Sequence, residues 1–148
     1  MNLPSLLASS CAGDASLLHY LPPVLCIELS RHLSENKLIS SQASIPFSGS
    51  LRIPLSCCTE DCNTDRKYQL IGAVVRSGVY ANNGHFWAAQ RRADKWFWIN
   101  DTEVSECKVT PEEQRDENEC LIAKRLDASS NWCVLVYADT DSEISIHP

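Results

Sequence analysis

The chain has 148 residues, 44% of them hydrophobic, which is enough for one buried core and too apolar for a disordered segment. A formal net charge of −6 argues against a nucleic-acid partner, which favours a basic patch, and is compatible with a basic protein partner. No Lys or Arg precedes Leu3–Leu7, so no secretory signal is expected, and the apolar stretch Leu17–Leu29 contains Pro22, Pro23 and Glu28 and is too short to span a bilayer. The expectation is an intracellular protein of the cytoplasm or nucleus, with no membrane partner and with its 8 cysteines mostly free thiols.

Residues 1–20 carry mixed signals. Leu3, Leu6 and Leu7 fit one helical turn, but Gly13 and the serines favour a weakly structured lead-in. The domain proper is expected over residues 21–138. Pro22 and Pro23 end what precedes them, and Val24, Cys26 and Glu28 then alternate with Leu25, Ile27 and Leu29 as in a strand with one face in the core. A turn follows at Ser34–Asn36. Lys37–Ile39, Ser44–Phe47 and Leu51–Leu55 read as short extended pieces. Cys57–Arg66 is polar and turn-rich and is expected as an exposed loop. Tyr68–Val75 is an almost continuous apolar run, the pattern of a central strand. Ser77–Asn83 reads as a loop.

Gly84–Asp101 is the most informative stretch. Two apolar runs flank the polar segment Arg91–Lys95, which reads as a β-hairpin with its turn near Ala93. Equal spacing from that centre puts His85 opposite Asp101, with Asn100 beside it. A His beside a carboxylate or carboxamide is an oriented imidazole: the neighbour fixes the tautomer, and the other ring nitrogen can serve as general base to a nucleophile. Beyond the hairpin, Val104 and Val109 flank an extended piece. Thr110, Pro111 and Glu113 form a capping box that starts a helix running to about Cys120. Trp132–Ala138 reads as the last strand, and an acidic tail over residues 139–148 is expected to fray.

Plainer roles account for most other residues that catch the eye. Trp87, Trp96, Phe97 and Trp98 have the composition of a base-stacking set, but aromatics on paired strands more often pack across the sheet. His19, His32 and His147 lack recognisable partners. Cys57, Cys58 and Cys62 show no Cys-x-x-Cys pair, so neither a metal site nor a cofactor is expected. Glu112–Glu119 reads as a solvated helix face.

The order Leu-Pro-Pro-led strand, Tyr68 strand, Gly84-His85-Phe86, and Trp96 leading to Asn100-Asp101, closed by the Trp132 strand, resembles the C-terminal half of a ubiquitin-specific protease catalytic domain. Each motif alone is common, while the set in this order and spacing is specific. The resemblance spans about Leu21 to Tyr137. It implies an α+β fold, mainly an antiparallel sheet, forming the palm-side half of a papain-like cysteine peptidase. It also implies cysteine-type deubiquitination, the hydrolysis of the bond after the terminal Gly of ubiquitin, with ubiquitin or a ubiquitinated protein as partner. By position, His85 matches the general base and Asn100 the residue that orients it. Asp101 matches a second polar residue that assists at the oxyanion side or substitutes for the first. Gly84 matches the position that lets the ubiquitin Gly-Gly tail approach, and Phe86 matches a wall of the tail channel, where the family usually has Tyr.

The departures bear on activity. The family's Gly-Asn-Thr-Cys box is absent from these 148 residues, and Cys11 lies between Ser10 and Ala12 and does not read as the nucleophile. Ser30 and His32 replace a Lys and an aromatic, and Arg76 stands where a His is common. The chain is therefore expected to supply the His and Asn/Asp of a triad without its Cys, as a fragment or a degenerate member. The competing expectation is a catalytically dead binding or scaffold module that keeps the fold. A ubiquitin-like modifier as substrate is a further alternative.

Overall fold

An apolar run becomes a central strand when both its neighbours are strands, and this is the fate of the segment that starts at Tyr68. The computed structural model describes residues 2–12, 17–29, 32–34, 37–38, 49–80, 83–107 and 132–140. Helix α1 spans Leu3–Cys11. Strands β1 (Val24–Glu28), β2 (His32–Ser34), β3 (Lys37–Leu38) and β4 (Ser50–Leu51) precede a 3-10 turn, η1, at Leu55–Cys57. The longer strands follow: β5 (Tyr68–Tyr80), β6 (Asn83–Arg92), β7 (Lys95–Asn100), β8 (Glu103–Glu106) and β9 (Trp132–Asp139). The main path of the sheet runs β1-β9-β5-β6-β7-β8, and every pairing between these strands is antiparallel, with one isolated parallel bridge between Leu18 and Cys58 outside them. The expected α+β, mainly antiparallel architecture is the one observed.

The core lies on one face of this sheet. Tyr68 and Leu70 of β5 pair with Asp139 and Tyr137 of β9, and all four are buried. Beyond Leu70 the buried positions of β5 become Ala73 and Val75, a shift of one residue. A Cβ built on Gly72 would meet Val136 Cβ at 3.8 Å, although the Leu70–Tyr137 register would aim Gly72 and Val136 at opposite faces. One extra residue in β5 accounts for both observations, as in a β-bulge. The burial then passes to Ala89 of β6, which pairs with Ala73, and to Trp132, Leu135, Leu21, Leu51 and Ile53.

Several segments differ from expectation. Residues 3–11 are helical because Asn2 caps them: its Oδ1 accepts from the Ser5 amide at 3.0 Å and from the Ser5 hydroxyl at 2.7 Å, with Pro4 in the first turn. Leu3 is buried and Leu7 packs against the core, so this part of the lead-in is docked. β1 keeps its alternation, with Leu25, Ile27 and Leu29 half-buried, but it lies at an edge of the main path. The Ser77–Asn83 loop shortens, since β5 continues to Tyr80 through a register shift after Ser77 and Tyr80 pairs with Asn83. Strand pairing there overrides the Ser-Gly turn signal. The Cys57–Arg66 segment is only partly an exposed loop: Cys57 and Cys62 are buried, and a backbone bond from Leu18 to Cys57 O, at 2.8 Å, holds it down. The expected pieces at Ser44–Phe47, the Thr110 helix and most of the acidic tail lie outside the described residues.

Asp139, expected at the head of a frayed tail, is instead a buried clasp. Its carboxylate pairs with the Arg66 guanidinium, which stands 5.7 Å over the Tyr20 ring. Its amide donates to Pro23 O at 2.8 Å, and Tyr68 donates its hydroxyl to Pro22 O at 2.6 Å. Removing one member of a buried pair strands the other, so Asp139→Ala should lower stability by about 2–4 kcal/mol in urea unfolding. The hairpin turn carries a separate strain, because Ala93 adopts φ 52. Ala93→Gly should raise stability by about 0.5–1 kcal/mol, read from the same unfolding curves. Burial and neighbouring thiols push Cys57 from 9.0 up to about 12 and Cys58 up to about 11. The folded state thus favours the neutral thiols; this stabilisation is complete below pH 9 and is lost as pH rises toward 12. The melting temperature should fall over that window, and less steeply in Cys57→Ala.

Candidate active site

The site is set by how β6 and β7 pair. Arg92 pairs with Lys95, leaving a two-residue turn at Ala93 and Asp94, braced by a 2.8 Å bond from Arg91 Nε to Ala93 O. The ladder continues regularly to Ala88 opposite Ile99. Extending this register puts Trp87 level with Asn100 and His85 level with Thr102, so the expected His85–Asp101 pairing is off by one residue. A one-residue change moves every side chain to the other face. Asn100, not Asp101, therefore shares the face of His85, and the His85 Nε2 and Asn100 Oδ1 atoms are directly hydrogen-bonded.

Asp101 is held differently. It begins the turn between β7 and β8, closed by the Asn100–Glu103 pair, and adopts φ 52, a left-handed conformation that Asp tolerates better than most residues. Its Oδ2 lies 3.9 Å from His85 Nε2. The side chains of His85 and Asp101 are 46% and 76% exposed, so this longer contact is solvated. The three residues are thus gathered at one end of the sheet, with Asn100 nearest the ring.

Beneath them lies an aromatic floor on the same face. Trp87 and Trp98 meet edge-to-face, with centroids 5.2 Å apart at 70°. Both pack against the core, as does Trp96, which agrees with the packing role expected for these aromatics. Gly84 and Phe86 are exposed and lie on the opposite face of β6 from His85. Phe86 is 56% exposed, and the Arg76 guanidinium stands 5.4 Å over its ring from the partner strand β5. The Arg76–Phe86 pair is invisible in a reading of local motifs, because the β5–β6 register creates it. Among the described residues no group of three or more His, Cys, Asp or Glu is arranged to hold a metal ion, and no helix is long and apolar enough to cross a membrane.

Arranged in this way, the site can orient an imidazole and present it at a sheet end. Comparison with known proteins gives this geometry a context. No curated protein matches the chain by sequence. Among solved structures, the chain is similar to one of the yeast SAGA DUBm, with 27% identity over 93% of this chain and 31% of that one and a TM-score of 0.64. It is also similar to a SAGA DUB module of Ubp8, Sgf11, Sus1 and Sgf73 bound to monoubiquitin, with 25% identity over 93% of this chain and 32% of that one and a TM-score of 0.62. An essential yeast splicing factor shares the fold, at 19% identity over 82% of this chain and 26% of that one, with a TM-score of 0.54. The chain spans about a quarter to a third of the length of these solved chains. A profile of the ubiquitin carboxyl-terminal hydrolase family matches residues 5–137, nearly the whole length, and the chain belongs to that family.

Proposed function

We propose that this chain supplies the base and its orienting residue to a thiol-dependent ubiquitinyl hydrolase, with ubiquitin or a ubiquitinated protein as the substrate. The hydrogen bond between His85 Nε2 and Asn100 Oδ1 carries the reading. A carboxamide oxygen only accepts, so the neutral ring must hold its proton on Nε2. Nδ1 is then the basic nitrogen, suited to take the proton of a thiol within about 3 Å. The thiolate attacks the carbonyl after the terminal Gly of ubiquitin, the imidazolium returns its proton to the leaving amine, and water releases ubiquitin from the acyl-enzyme.

Asn100 and Asp101 divide the orienting work. Asn100 fixes the tautomer without adding charge. Asp101, at 3.9 Å and in solvent, stabilises the imidazolium by about 1 kcal/mol at most. Gly84, next to His85 in the chain, admits the Gly-Gly tail by its lack of a side chain, whereas Phe86 faces away from His85 and lines that path only before it reaches the base. The reading places the protein inside the cell, where ubiquitin conjugates are made. In this reading the nucleophile lies outside these residues: no Gly-Asn-Thr-Cys box occurs, Cys57 and Cys62 are buried, and Cys11 packs beside Cys57. That observation favours a second reading, a module that binds ubiquitin conjugates without cutting them.

A fluorogenic ubiquitin substrate separates the two. The 148-residue chain alone should give no turnover. Joined to the Cys-containing segment of a family member, as one chain or in trans, it should become active. In that enzyme His85→Ala should lower kcat/KM by roughly 10³-fold or more. Asn100→Ala should cost less, on the order of 10- to 100-fold, if Asp101 takes over the ring. Ubiquitin binding without turnover in the joined protein would select the scaffold reading. Full activity of the joined His85→Ala variant would remove the assignment of the base.

A further inference from the structure

Nucleophilic side chains gather at one other place, independent of the His85 reading. Helix α1 ends on Cys11, η1 ends on Cys57, and Cys58 and Cys62 follow directly. Cys11 and Cys58 pack against the core cluster that holds Cys57 and Cys62, and Cys57 feels Cys11 as a neighbour while Cys58 feels Cys62. Each pair joins a half-buried sulfur, Cys11 or Cys58, to a buried one, Cys57 at 1% or Cys62 at 7% exposure.

The backbone holds these pairs in place. Cys57 N donates to Pro54 O at 2.9 Å and Cys58 N to Leu55 O at 3.0 Å, which forms the 3-10 turn. Leu18 N donates to Cys57 O at 2.8 Å, Thr59 N returns a bond to Leu18 O at 3.0 Å, and Cys62 N closes a turn on Thr59 O at 3.0 Å. Hydrophobic packing alone explains one buried cysteine, because the thiol is a small apolar group. It gives no reason for four thiols gathered where α1 meets the η1 segment. Among the described residues no group of three or more His, Cys, Asp or Glu is placed to hold a metal ion.

We propose that the Cys11–Cys57 and Cys58–Cys62 pairs are a redox-modification site, in which a peroxide closes two disulfides and fastens α1 to the η1 segment. In each pair the half-buried thiol attacks the peroxide, the O–O bond breaks, and a sulfenic acid and one water form. The buried partner then attacks the sulfenic sulfur, the S–O bond breaks, an S–S bond forms, and a second water leaves. Two thiols lose two electrons, and one hydrogen peroxide is reduced to two waters. Burial and the partner thiol keep Cys57 protonated at neutral pH, so Cys11 is the sulfur of its pair that meets the oxidant first; the Cys58 thiol, also pushed up, makes the Cys58–Cys62 pair the slower of the two to close. The Cys11–Cys57 bond joins segments far apart in sequence, and closing a long loop removes freedom from the unfolded chain.

The test is oxidation of the reduced 148-residue chain with hydrogen peroxide, alkylation of the remaining thiols, and digestion after Asp and Glu without reduction. Cleavage after Asp14 and after Glu60 or Asp61 separates Cys11, the Cys57-Cys58 dipeptide and Cys62 into different fragments. Mass spectrometry should find these three joined, with four of the 8 thiols no longer alkylatable. The melting temperature should rise on oxidation and return with dithiothreitol. In Cys58→Ser the Cys11 cross-link should persist, and in Cys57→Ser it should vanish together with most of the thermal shift. Sulfinic acid at Cys11 with Cys57 still alkylatable, or disulfides between other cysteines, would overturn the proposal. Fragmentation of the joined peptides between Cys57 and Cys58 assigns the pairing on the unmodified sequence, and a Cys11–Cys58 or Cys57–Cys62 linkage would overturn the proposal even where a variant failed to fold.

Discussion

The geometry around His85 depends on the length of one turn. Arg92 and Lys95 close a two-residue turn, and from there the ladder fixes which residues of β7 share a face with which residues of β6. One residue more would carry Asn100 to the far face and put Asp101 on the His85 side. The turn is not an easy one to build, since Ala93 takes a positive φ that no Cβ favours. Flanking strands hold it: β5 pairs with β6 through Ala73–Ala89 and Val75–Trp87, and β8 pairs with β7 through Phe97–Glu106 and Ile99–Val104. Strain at Ala93 is small against two full ladders and the Trp87–Trp98 contact, so the sheet enforces the register.

This also explains how far the site could be read from the sequence. The hairpin itself was legible, because two apolar runs of strand length flank a charged segment. Its register was not. The segment Arg91–Lys95 has no Asn-Gly or Asp-Gly pair to mark the turn residues, and two- and three-residue turns suit it equally. His85 and the Asn100-Asp101 pair were found together, but the choice between Asn and Asp rested on a single residue of turn length. The face shared by Arg76 and Phe86 was hidden for a related reason, as it arises from strands that only the sheet brings together.

Elsewhere the misses share a cause, which is tertiary partners acting on locally polar sequence. The segment from Cys57 to Arg66 has the composition of an exposed loop, yet two of its cysteines face the core and Leu18 holds its backbone down. Asp139 begins an acidic stretch, yet Arg66 neutralises it and Pro23 accepts its amide bond, so burial becomes affordable. Neither partner is near Asp139 in sequence. The helix at residues 3–11 is a different case, because its Asn2 cap and Pro4 were visible locally and were outweighed by Gly13 and the serines. The Tyr68 and Trp132 strands are legible in the sequence, since a strand with strands on both sides needs little more than its own apolar run.

The proposed chemistry has an unequal demand on the fold. His85 and Asn100 are 15 residues apart within one hairpin, so the base and its orienting residue come together through local pairing and a short loop closure. In the proposed reading the nucleophile comes from another segment, packed against the same sheet end. Orientation of the imidazole is therefore a property this chain holds by itself, while the distance from Nδ1 to sulfur is a property of an interface. Errors at that interface act on the second quantity alone. A displacement of about 1 Å there can cost on the order of 100-fold in rate while the His85–Asn100 bond stays intact. In the proposed reading, control over activity falls on whatever seats the nucleophile, and the His half can remain rigid and ready.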